Sequence, residues 1–195
     1  MTTGILLLAA GSSSRMGQSK QLLPIAGEQL LLKSTRVAME SEAEIVMVVL
    51  GANELAHRKI IEQLPVEITV NTEWQKGMGS SLKQGLTQLL KIAPQLEAVL
   101  IMVCDQPLLT TNHLNELIHS YKKIKSLIVA SRYSGTAGVP ALFEKSLFEI
   151  LLNVENESGA KKIIQQHIDV VQTVDFPDGK FDLDTPDDYK GFVEQ

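Results

Sequence analysis

Short apolar runs alternate along the whole chain with segments in which apolar side chains recur every three or four positions. The runs read as strands buried on both faces, and the three-to-four spacing reads as amphipathic helices that cover them. Strands are predicted at Ile5–Ala10, Glu44–Leu50, Glu67–Val70, Ala98–Val103, Leu127–Ser131 and Val170–Val174. Helices are predicted near Leu31–Glu40, Glu54–Gln63, Ser80–Leu90, Thr111–Lys123, Lys145–Val154, Ala160–His167 and Pro186–Val193. Strand and helix in turn imply a single α/β domain over residues 1–195, Rossmann-like, its sheet mostly parallel and flanked by helices. Ser80, Asn112 and Thr185 stand where helix N-caps are expected, the last followed by Pro186. Arg132–Gly138, with two glycines and small polar residues, is expected to be the mobile loop.

The first strand ends in an unusual segment. After Leu8-Ala9-Ala10 come Gly11 and three serines, then Arg15, Gly17 and Lys20. An N–H-rich loop with small side chains and two cations suits a polyphosphate; an ordinary turn with solvated basic residues is the alternative. The spacing is not that of a Walker loop, because five residues separate Gly11 from Gly17 and the lysine comes only at position 20. Nor is it the dinucleotide fingerprint, since positions 13 and 16 are Ser and Met. Ligands of such sheets collect at the carboxyl ends of the strands, and Gly11–Lys20, Asn71–Gly79 and Asp105 all come directly after strands.

Asp105, at the tip of a buried run, is either a turn residue or a Mg²⁺ ligand beside the phosphate loop. In Asp182-Leu-Asp-Thr-Pro-Asp-Asp188, alternation puts Asp182 and Asp184 on one side, while Asp187 and Asp188 suit the first turn of a helix. Gly77-Met-Gly-Ser-Ser81 caps a helix, borders a ligand, or does both; Trp74 either covers that pocket or packs. The histidines at 57, 113, 119 and 167 lack metal-site spacing and read as structural, and Cys104 reads as buried rather than nucleophilic.

A net charge of −5 without a basic run argues against nucleic acid. One cysteine fits a reducing compartment, and no leader or membrane-length apolar run is apparent, so a cytoplasmic location is expected.

The segment Leu8–Pro24 resembles the signature Leu-Ala-Ala-Gly-x-Ser-x-Arg-Met-Gly-x-x-Lys-x-Leu-Leu-Pro of the MobA-like nucleotidyltransferases of molybdenum cofactor biosynthesis. Similar blocks appear in family order at Gly77–Leu82, Cys104–Leu108, Gly138–Phe143, Ser158–Lys161 and Asp182–Asp188. The resemblance implies a nucleotide-diphospho-sugar transferase-like fold. It also implies a nucleoside triphosphate held by Leu8, Ala9, Ala10, Gly11, Arg15, Lys20, Gly79 and Ser80, with catalysis by Arg15, Lys20 and Asp105. Mg²⁺ would lie on Asp105 and Asp184, with Asp182 in reserve, and the acceptor would be the phosphate of molybdopterin. Ala9-Ala10-Gly11 is similar to the CTP-using branch, with GTP second; a molybdoenzyme or its maturation chaperone would be the partner. The segments Arg132–Phe143 and Asn156–Lys161 would border the acceptor, and Val139 stands where relatives carry a histidine. Sugar-1-phosphate or isoprenoid-precursor nucleotidyl transfer, and non-catalytic delivery of the cofactor, are the alternatives.

Overall fold

The computed structural model describes residues 2–194. In chain order the strands are β1 (Thr3–Leu8), β2 (Pro24–Ile25), β3 (Glu28–Gln29), β4 (Ile45–Leu50), β5 (Glu67–Val70), β6 (Ala98–Val103), β7 (Ile128–Tyr133), β8 (Thr136–Glu144) and β9 (Val171–Asp175). The helices are α1 (Leu30–Met39), α2 (Glu54–Ile61), α3 (Met78–Ile92), α4 (Thr111–Ile124), α5 (Phe148–Leu152), α6 (Ala160–Gln166) and α7 (Pro186–Val193).

Seven strands form one sheet in the order β5-β4-β1-β6-β8-β7-β9. Parallel pairing joins β1 to β4 and β6, β4 to β5, and β7 to β9, whereas β8 runs antiparallel to both β6 and β7. Side-chain alternation splits the apolar strands between two cores. Ile5, Leu7, Val48, Leu100 and Met102 face one layer, packed with Leu31, Ile61, Leu114 and Leu117 from α1, α2 and α4. Leu6, Leu8, Met47, Val49, Val99 and Ile101 face the other, with Leu82, Leu86, Leu151 and Ile163 from α3, α5 and α6. Each of the fully buried leucines contributes about 2 kcal/mol by removal from water, and β1, buried at every position, carries only leucine in its second half.

Several sequence expectations are corrected. The expected mobile loop at Arg132–Gly138 is instead a β-hairpin: β7 turns into β8 through Ser134 and Gly135, at φ 50° and 73°. Paired left-handed residues give the tight turn whose twist matches the strands. Thr136–Glu144 escapes the strand pattern because Gly138 and Pro140 interrupt its apolar run. The register jumps there: Ala130 faces Ala141 and Ser131 faces Gly138, so Val139 and Pro140 bulge out of the ladder. A bulge is where a strand accommodates proline, and side chains take over the freed carbonyls. Ser131 Oγ donates to the Pro140 carbonyl at 2.7 Å, and Tyr133 Oη to that of Val139 at 3.0 Å. The small β2–β3 hairpin, two residues to a strand, is too short for periodicity to reveal. The N-cap of α4 is Thr110, which accepts from the His113 amide, and not Asn112; that of α3 is Gly77, with Ser80 inside the first turn. Thr185 caps α7 as expected, in a capping box with Asp188. Among the described residues no helix is long and apolar enough to cross a membrane.

Candidate active site

At the carboxyl end of β1 the ladder stops at Leu8; the Ala9 amide still donates to the Val49 carbonyl at 2.9 Å, and the chain then leaves the sheet. Beyond Ala10 it forms a loop bent by left-handed residues at Ser13 and Gly17 (φ 56° and 68°) around a single 3₁₀ turn, Ser14–Met16. Met16 is buried and anchors it. The amides of Gly11, Ser12 and Ser13 meet no acceptor in the chain among the described residues, so they are free to receive an anion.

Two distant carboxylates meet that loop. Asp105 lies just past the end of β6. Asp184 arrives from the C-terminal segment, whose placement is set by three contacts. Leu183 is buried and donates its amide to the Asp105 carbonyl at 3.0 Å, and the Asp188 carboxylate receives the Thr185 amide at 2.8 Å. Lys20 Nζ then bridges Asp105 Oδ2 at 2.8 Å and Asp184 Oδ1 at 3.0 Å, while Arg15 reaches Asp184 Oδ2 at 2.9 Å. Burial works against the Lys20 ammonium, but Asp105 and then Asp184 outweigh it, and its pKa is raised. Asp182, two residues earlier on the extended segment, is exposed; partial desolvation, then Asp105 and Asp184, push its carboxyl up to about 6. Lys161 acts on it in the opposite sense.

A cleft of about 310 Å³ opens beside these charges, lined by Leu8, Ala9, Ala10, Gly11, Ser12, Lys20, Trp74, Gly77, Met78, Ser81 and Asp105. An open groove of about 430 Å³ between α5 and α6, lined by Glu149, Asn153 and Lys162 among others, lies away from this chemistry. Trp74 does both things the sequence allowed: it lines the cleft and packs against the second core. Gly79 and Ser80, expected at the nucleotide, do not line this cleft, and their donors bond within the fold. The Gly79 amide donates to the Asn156 carbonyl at 2.8 Å. Ser80 Oγ donates to the Gly77 carbonyl at 2.7 Å and accepts from Asn71 Nδ2 at 2.8 Å. A Cβ on Gly79 would stand 2.5 Å from the Ser158 carbonyl, so glycine there permits the 155–159 loop to close on α3. Gly77, Met78 and Ser81 border the cleft instead.

The expected acceptor-side segments are partly occupied as well. Arg132 pairs with Asp175 at 2.6 Å on the β7–β9 edge, and Lys83 Nζ holds Asn156 Oδ1 at 2.5 Å. Gln106, which follows Asp105 in the turn, is buried and donates to the Val139 and Gly179 carbonyls at 3.2 and 3.3 Å, tying β8 to the segment beside Asp105. Sequence reasoning assigns no role to Gln21, which is buried beside the loop. Cys104 is buried behind the site, its thiol pushed up to about 12 by burial and then by Asp105, so it stays protonated. His57 and His113 are buried, and both are neutral, their pKa values lowered by burial.

Among the described residues no three metal-binding side chains converge. The donor set nonetheless fits a hard divalent ion. Two carboxylates already share one cationic centre, and Mg²⁺ characteristically takes one or two carboxylates and completes its shell with phosphate and water.

The MobA-like NTP transferase domain matches residues 5–171, which covers most of the chain. The chain belongs to the MobA-like NTP transferase family. It is accordingly a nucleotidyltransferase by family. It is 30% identical to the nicotine blue oxidoreductase of Paenarthrobacter nicotinovorans over 90% of this chain and 87% of that one. It is 27% identical to the molybdenum cofactor cytidylyltransferase of Escherichia coli over 94% and 92% of the two chains. Among solved structures, Rv0371c of Mycobacterium tuberculosis superposes with a TM-score of 0.85 at 25% identity, covering 100% of this chain and 98% of that one.

Proposed function

We propose that this MobA-like transferase is a divalent-metal-dependent cytidylyltransferase that moves CMP from CTP to the phosphate of molybdopterin and releases pyrophosphate. The observation that carries the reading is the Lys20 ammonium shared between Asp105 and Asp184, with Arg15 behind it, at the mouth of a loop with free amides. Asp105 and Asp184 would hold Mg²⁺, which when bound offsets the charge of the triphosphate. The amides of residues 11–13 receive phosphate oxygens, and Arg15 and Lys20 stabilise the charge that builds on the departing pyrophosphate. The acceptor phosphate oxygen attacks the α-phosphorus, and the bond from that phosphorus to the oxygen bridging it to the β-phosphate breaks. A phosphate anion is already a nucleophile, so positioning and charge stabilisation suffice without a protein nucleophile.

The choice of molybdopterin and CTP is supported by the cytidylyltransferase relative, which matches nearly end to end, and by the resemblance of Ala9-Ala10-Gly11 to the CTP-using branch. A cytoplasmic location and hand-over to a molybdoenzyme or its maturation chaperone accord with this role. The test is pyrophosphate release with each of the four nucleoside triphosphates, Mg²⁺ and molybdopterin. CTP giving the fastest release supports the reading, and GTP overtaking it overturns the base assignment. Release only with a sugar 1-phosphate or an isoprenoid precursor, or hydride transfer from NAD(P)H without any release, overturns the acceptor or the reaction.

A further inference from the structure

Gln21 is 1% exposed, yet it is the most heavily hydrogen-bonded side chain near the cleft. Its Nε2 donates to the carbonyls of Ala9 and Gly11 at 3.2 and 2.9 Å. Its Oε1 accepts from Ser13 Oγ at 3.0 Å and from Ser19 Oγ at 2.8 Å. Ser13 Oγ in turn accepts the Lys20 amide at 3.0 Å. One buried amide therefore ties the exit of β1 to both limbs of the loop, including the left-handed Ser13 and the residue just before Lys20.

The network continues outward. His57, on α2 and 0% exposed, places Nε2 2.6 Å from Ser19 Oγ. Since Ser19 spends its proton on Gln21, that nitrogen carries the hydrogen and the ring is the Nε2–H tautomer; Nδ1 is then a bare lone pair, and it has no partner among the described residues. Burial lowers the ring's pKa and keeps it neutral, as this tautomer requires. The direction of donation is thus set along the whole line, from His57 to Ser19 to Gln21.

We infer that Gln21, braced through Ser19 by His57, is the positioning residue that holds residues 11–20 in their anion-receiving shape before nucleotide arrives. The inference rests on the reading of that loop as the phosphate cradle. Preorganisation matters here because the loop contains Gly11, Gly17 and four serines, and an unbraced chain of that composition would have to be ordered at the expense of binding. Lys20, next in sequence, depends on the same brace: with its amide fixed on Ser13, its side chain is delivered to Asp105 and Asp184.

The probe is inorganic tripolyphosphate with Mg²⁺, titrated calorimetrically, because it needs the cradle but no base. Ser19→Ala cuts the line at its half-exposed middle, and Gln21→Leu removes all four contacts. Affinity should fall roughly tenfold in Ser19→Ala and further in Gln21→Leu, each lost bond being a modest share of that factor. Ser19→Thr, which keeps the hydroxyl, should restore it to within about threefold. In turnover assays the KM for nucleotide should rise more than kcat falls, a split that a general loss of stability does not give. Folded Ser19→Ala that binds tripolyphosphate as the wild type does overturns the role of Gln21, and if Gln21→Leu does not fold the serine pair still decides. Wild-type protein that fails to bind tripolyphosphate overturns the cradle itself.

Discussion

Lys20→Met should move metal binding and turnover in opposite directions. The ammonium lies 2.8 and 3.0 Å from two carboxylate oxygens, where a divalent ion would also be drawn. At an effective dielectric of about 20, each contact is worth roughly 6 kcal/mol of gross Coulomb attraction; desolvation and competing water reduce the net to about 1–2 kcal/mol. A metal ion entering without nucleotide must displace or crowd that charge. Removing it should tighten Mn²⁺ binding to the nucleotide-free protein by about tenfold. The same change deletes a preorganised cation facing the phosphates, so turnover should fall by about two to three orders of magnitude. Loss of the free-Mn²⁺ electron paramagnetic resonance signal on titration measures the first effect, and pyrophosphate release the second. Folded Lys20→Met that binds Mn²⁺ no better than the wild type would falsify the claim that lysine and metal contend for one site.

The same geometry leads to further outcomes. Asp184→Asn keeps the capping box of Thr185 and Asp188 but loses one anionic oxygen pair, so turnover should drop at least a hundredfold with a small change in melting temperature; unchanged turnover removes Asp184 from the site. His113 is 5% exposed, stacked on Phe176 at 4.4 Å, and burial pushes its pKa down to about 4. The unfolded chain therefore takes up the proton first. Its contribution is complete above the ordinary value near 6.5 and is lost, by up to about 3 kcal/mol, as pH falls from there towards 4. His113→Phe should flatten that part of the stability–pH curve in denaturant titrations, and an identical slope would remove His113 as its source. Gly85→Ala should destabilise by about 1–3 kcal/mol although alanine is the better helix former, because its Cβ would sit 2.5 Å from Val49 Cγ2 and also strike Leu6 where α3 crosses the sheet. A raised melting temperature would show that the helix can shift without cost.

Local signals carry much of this protein. Uninterrupted apolar runs are buried on both faces, so β1, β4 and β6 are legible within two residues at each end, and Thr185-Pro186 with Asp188 marks α7 because a helix start needs only its own few side chains. The loop after β1 is legible for a similar reason: an anion site made from backbone amides leaves its glycines, serines and cations in one short stretch. What depends on distant chain is not. The proline-bearing β8 survives only because Ser131, Tyr133 and Gln106 satisfy the carbonyls of its bulge. That the 155–159 loop closes upon Gly79 is likewise set by distant chain. Gln21 has the look of an exposed loop residue, yet it is the hub of the brace. Sequence by itself determined the alternating layers and the chemical character of the loop, since both are written in residues close together along the chain. Only the tertiary structure decided that Asp184 meets Asp105 across Lys20, because that meeting requires Leu183 to be buried against the end of β6, and burial is a property of the whole fold.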